Sequence, residues 1–171
     1  MIQTAAVDIE LRLSGAHVVS SFNTLVKPVI NQTLSNYIIH LTSIEQHVLD
    51  NMGGDYQAAL LQLYSFCSHD RLPCYSWGND KQILTNNCLL DGIQMPNVSA
   101  NFHNIHGMAD AAMIDGAHIC SGELANHLGL DLHGHIHNAL YDVLSIALAL
   151  NQWMQQEQLK PSLFNSKSTI H

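Results

Sequence analysis

His137 and Asp142 stand five positions apart in the stretch HGHIHNALYDVLSIALAL, which runs from His133 to Leu150. Ala139, Leu140, Val143, Leu144, Ile146, Ala147 and Leu150 follow the helical repeat and would bury one broad face. A carboxylate inside that pattern is costly unless a metal, a cation or a hydrogen bond satisfies it. Five helical residues would separate the two side chains by roughly 140° around the axis and about 7.5 Å along it. They can therefore serve one site only if His137 precedes the helix, with Asn138 as its N-cap. His133, His135 and His137 also alternate along an extended segment. That spacing could bind zinc or nickel, or it could belong to loop histidines of which only His137 has a role.

The elements that must position these groups alternate between strand and helix. Residues 2–9, IQTAAVDI, form an apolar run of strand length, and a turn at Ser14-Gly15 leads into a second strand from His17 to Val26. Thr42-Ser43-Ile44-Glu45 has the form of a capping box opening a helix that ends near Gly53-Gly54. Tyr56–Cys67 and Lys81–Leu90 read as further helices, the second stopped by Asp91-Gly92, and Cys74–Trp77 as a buried strand. Asp80 would N-cap the helix that follows it. One helix is expected within Ile105–Met113, and another, capped by Ser121, over Glu123–Leu130. This order is that of an α/β domain over residues 1–158, with residues 159–171 as a polar, frayed tail.

Composition narrows the function. The chain has 171 residues, 47% of them hydrophobic, enough for one domain with a sizeable core. It has no apolar run of transmembrane length and no secretory leader pattern, so the expectation is a cytoplasmic protein with no membrane partner. Cys67, Cys74, Cys88 and Cys120 lack CxxC pairing and read as reduced core residues. Six Lys and Arg against fourteen Asp and Glu give a formal net charge of −8, which excludes tight, non-specific binding to a phosphate backbone. Binding of a few terminal nucleotides through bound cations and stacking remains compatible with that charge.

Four strings taken in order resemble one family. His-x4-Asp at His137–Asp142, preceded by LGL and a Gly-His-x-His turn, is similar to the third motif of the DEDDh 3′→5′ exonucleases. That superfamily includes the DnaQ proofreading subunit, RNase T and the KapD- or ERI-like RNA exonucleases. FNTLVKP at Phe22–Pro28, LSNYIIHLTSI at Leu34–Ile44 and YSWGND at Tyr75–Asp80 resemble the last of these branches, and together the strings span most of residues 2–150. The resemblance implies a ribonuclease H-like mixed sheet flanked by helices. It also implies hydrolysis of single-stranded RNA or DNA from the 3′ end with Mg²⁺ or Mn²⁺ as cofactor. Four carboxylates would hold two ions about 4 Å apart. Carried over residue by residue, His137 is the general base, Asp142 the last metal ligand and Asp80 the acid of the second motif, with Trp77 and Gly78 shaping the substrate site beside it.

The family's first motif, Asp-x-Glu at the end of an opening strand, has two candidate treatments. Keeping FNTLVKP in place puts residues 2–8 on the family's second strand and leaves the first strand and its two acids without a counterpart. Taking Asp8-Ile9-Glu10 as that motif instead requires loss of the usual second strand. Asp8 and Glu10 also share a strand face as ordinary outward residues would. On the first treatment two carboxylates remain, a poor cage for two ions, and activity is expected to be weak or absent. The sheet would then have an open central edge, where a homodimer is expected to form. A catalytically inactive, dimeric interaction module with the same fold is the alternative.

Overall fold

The computed structural model describes residues 1–67, 73–95, 102–164 and 167–170. Strands β1 (Gln3–Arg12) and β2 (Gly15–Leu25) form the expected antiparallel hairpin, in register from Gln3 opposite Leu25 to Arg12 opposite Gly15. Gly15 turns the chain with φ 122°, and a Cβ there would overlap Asn151 Oδ1, the acceptor for the Ala16 N–H at 3.1 Å. The hairpin is thereby fastened to the long helix that carries Asn151. A register shift at Asp8/Ile9 leaves Val19 without an opposite residue.

Thr4, Ala5, Ala6 and Val7 are all buried, because β1 is covered on both faces. Ala5, Val7 and Ile9 pack with Val143, Ile146, Ala147, Leu150 and Trp153 of α7 (Ala139–Gln155). Ala6 packs on the opposite side with Ala59, Leu60 and Leu63 of α3 (Tyr56–Phe66) and Leu84 and Cys88 of α4 (Asp80–Asp91). A smaller cluster of Leu34, Ile44 and Leu49 seats α1 (Asn36–Thr42) and α2 (Gln46–Met52). Helices on both faces of a mixed sheet make this an α/β domain.

The sheet order is β2-β1-β5-β3-β4, with β3 (Cys74–Ser76) parallel to β4 (Phe102–Asn104). The strand β5 (Lys167–Ile170) lies antiparallel to β1 and parallel to β3. Thus part of the segment expected to fray occupies the centre of the sheet, preceded by a 3-10 turn at Pro161–Leu163 and anchored by buried Leu159 and Phe164. The sequence reading overlooked it because four residues carry no period, and their pairing with Val7–Glu10 comes from the far end of the chain. The open central edge expected from sequence is filled over that length, which removes the stated reason for a homodimer there.

Four local expectations are corrected. The capping box does not form: Thr42 ends α1, which sequence reading missed, and Glu45 precedes α2 without a side-chain cap bond. Thr42 Oγ1 instead donates to the Ile38 carbonyl and accepts from the Ile44 N–H. Ser121 is not the N-cap of that helix; it opens a 3-10 turn, Ser121–Glu123, that leads into the single turn of α6 (Leu124–His127), whose N-cap position is Glu123. Asn79 rather than Asp80 holds the N-cap position of α4. Cys67, Cys74 and Cys88 are buried as expected, but Cys120 is exposed. The helix expected within Ile105–Met113 is α5 (Ile105–Ala111).

Candidate active site

Asp142 reaches its position through the start of α7. Asn138 caps that helix, its side chain accepting from the Leu140 N–H at 3.1 Å, as the sequence suggested. His137 lies just outside with φ 70°, a left-handed conformation that turns its backbone N–H onto Asp142 Oδ1 at 3.1 Å. From β1, Gln3 braces the same helix end: its Oε1 accepts from the Ala139 N–H at 2.9 Å, and its Nε2 donates to Asn138 Oδ1 at 3.3 Å. Gly122 sits against the carboxylate, where a Cβ would overlap Asp142 Oδ1 and come within 2.8 Å of Ile136 Cγ2. Ser145 Oγ accepts from the buried Ala125 N–H at 2.9 Å and so holds the Gly122 segment on α7.

Asp80 is delivered by β3 and the turn after it. Trp77 anchors that turn, with Nε1 donating to the Ile119 carbonyl at 2.9 Å and its ring stacked 5.9 Å from Trp153. The short strand and the Trp77–Asn79 bend bring Asp80 to the cleft that holds Asp142, about 260 Å³ in volume, whose walls also include Gln3, Thr4, Ala5, Trp77, Ser121 and Val143. The cleft opens where β3 ends, a common location for α/β sites.

Both carboxylates are held above the usual pKa range, chiefly by burial. For Asp80, hydrogen bonds from its own backbone and the Ser76 hydroxyl oppose the rise, while the negative charge of Asp142 adds to it. For Asp142, the His137 N–H and the charges of His137 and His135 oppose it. A cation between the two acids would relieve both.

The other sequence candidates divide. Trp77 is a core anchor and a cleft wall at once. Gly78, with φ 131°, lines a separate cavity on the other side of the turn. His137 is exposed, close enough to Asp142 to influence its charge but outside the cleft lining. Asp8 and Glu10 lie away from the cleft, Asp8 accepting from Ser20 Oγ at 3.0 Å and Glu10 paired with Arg12 at 2.6 Å. Their strand runs beside the centre of the sheet, and its Gln3–Ala5 end, with no acid, faces Asp80 and Asp142. Among the described residues, no group of three or more His, Cys, Asp or Glu is arranged to hold a metal, the histidine triplet included. Sequence reading missed Gln3, Ser121 and Gly122; the glycine between Ser121 and Glu123 was the one available signal.

A mixed sheet with helices on both faces and two acids gathered where β3 ends has the ribonuclease H-like architecture. In particular, the chain has a DEDDh exonuclease-like fold. The nuclease domain of 3′hExo, a DEDDh family member, solved bound to rAMP, superimposes with a TM-score of 0.73 at 22% identity, over 91% of this chain and 80% of that one. A full-length 3′-exonuclease gives 0.74 at 22% identity, over 91% and 72% of the two chains. The cell-death related nuclease CRN-4 gives 0.65 at 19% identity, over 90% and 63%. No protein-family model and no curated protein matches the sequence.

Proposed function

We propose that this chain is a 3′→5′ exonuclease-type domain that takes the 3′ end of single-stranded RNA or DNA into the Asp80–Asp142 cleft, with hydrolysis weak or absent. The observation that carries this reading is the meeting of Asp80, Asp142 and Trp77 in one cleft, where β1 contributes Gln3, Thr4 and Ala5 instead of further acids. The similar structures supply context: one was solved with rAMP and another concerns 3′-end recognition of a histone mRNA stem-loop.

Two carboxylates suit one Mg²⁺ or Mn²⁺ completed by water and phosphate oxygens, but not the two closely spaced ions of a full site. An ion bound there supplies a Lewis acid to a phosphoryl oxygen. Asp80 and Asp142 hold the charge, Trp77 walls the cleft against a base or sugar, and the His137 backbone fixes Asp142. The His137 imidazole is the group at hand to accept a proton. The shortage of ligands favours a second reading, an inactive interaction module that has kept the fold.

Binding and degradation of a 3′-OH oligonucleotide with Mn²⁺, in wild type and in Asp142→Asn and Asp80→Ala/Asp142→Ala variants purified identically, separate these readings. The expected result is Mn²⁺-dependent binding lost in Asp142→Asn, with little degradation. Rapid degradation lost in the double variant would show a complete site. Absence of Mn²⁺-dependent binding would leave the interaction module.

A further inference from the structure

The turn that delivers Asp80 has a cavity on each side. Trp77 and Asp80 face the acidic cleft, whereas Ser76, Gly78 and Asn79 line a second cavity of about 290 Å³. Its other walls are Lys81, Gln82 and Thr85 on α4 and Phe102, His103 and Asn104 on β4. The two differ in charge: the carboxylates of Asp80 and Asp142 lie in the first, while the ammonium of Lys81, with amides, hydroxyls and Phe102, lines the second.

We propose that this second cavity binds the phosphodiester of the nucleotide on the 5′ side of the 3′-terminal residue held in the acidic cleft. The inference rests on the 3′-end reading above and deepens it. Overall charge opposes any polyanion, so backbone affinity must come from local contacts. Basic residues are few, and two of the described ones are placed elsewhere: Arg12 is bound to Glu10, and Lys27 lies beside Gly53. Lys81, exposed at the start of α4, is adjacent to Asp80 and lines the second cavity. His103 is among the lining residues, but its ring turns to the other face of β4 and stacks on Tyr75, with ring centroids 5.2 Å apart. Asn79 makes no side-chain cap bond to α4, leaving its amide available to a phosphate or ribose oxygen. A chain threading from the acidic cleft past the Trp77–Asp80 turn meets these groups first.

The test measures affinity for adenosine 5′-monophosphate and for a 3′-OH RNA tetranucleotide with Mn²⁺ over a range of NaCl, in wild type, Lys81→Gln, Lys81→Arg and Asn79→Ala. The tetranucleotide should bind wild type more tightly than the mononucleotide. Lys81→Gln should largely remove that ratio and reduce the slope of log K against log salt by about 0.7, the contribution of one single-strand phosphate contact. Lys81→Arg should retain both, and Asn79→Ala should lower the ratio. If wild type binds both ligands and Lys81→Gln leaves ratio and slope unchanged, the second cavity is not a backbone site. If wild type binds neither, the 3′-end reading fails and the subsite fails with it.

Discussion

Asp80 and Asp142 resist ionisation because the cleft withdraws water from them. A carboxylate whose pKa is raised in the folded state binds more protons folded than unfolded. Its stabilising effect is complete below the unfolded pKa and is lost as pH rises through the folded pKa. At neutral pH without metal, the two acids therefore oppose folding. Asp80→Asn, which keeps an oxygen acceptor for Ser76, should raise the metal-free Tm at pH 7, and the gain should vanish toward low pH; an unchanged or lower Tm at pH 7 would contradict this. Gly122 is the opposite case, a residue chosen for its lack of a side chain. Gly122→Ala should cost about 1–3 kcal/mol by crowding Asp142 and Ile136. Thermal unfolding and Mn²⁺ titration should show a lower Tm together with weaker metal binding. The meeting of Asp80 and Asp142 in one cleft could be anticipated from the sequence because each sits in a recognisable string. Gln3 and Gly122 could not, because their roles depend on neighbours distant in the chain.

At the scale of elements, α7 carries the site and its start is held by several devices of unequal value. Asn138→Ala removes a cap on a partly exposed helix end and should cost about 1 kcal/mol. Ser145→Ala leaves the buried Ala125 N–H without its acceptor, costing about 1–3 kcal/mol. Thermal melts should rank Ser145→Ala below Asn138→Ala, at about 2–4 °C of Tm per kcal/mol for a chain of this size; the reverse order would mean that the cap matters more than the buried bond. The hairpin, α3, α4 and α7 were legible because each has a sustained period or a glycine stop, as at Gly92, where the chain enters the left-handed region with φ 66°. Helix α1 and strand β4 were not: the first is seven residues long and the second three, too short for periodicity to show.

For the whole molecule, the decisive element is β5, which joins the β1-β2 hairpin to the β3-β4 pair. Thr169 lies opposite Asp8 on one side and Cys74 on the other. Thr169→Pro removes a donor from the middle of the sheet and should cost at least about 1–3 kcal/mol for a buried group left unbonded. Amide exchange in β1 and β3 should quicken in that variant; unchanged protection would show that β5 does not hold the two halves together. The placement of β5 also governs how the protein is made. The β1-β2 hairpin is synthesised well before β5, and the inner edge of β1 has no strand beside it until Lys167–Ile170 has been made. Over that interval an apolar strand edge is open to other nascent chains, which exposes β1 to aggregation before the sheet closes.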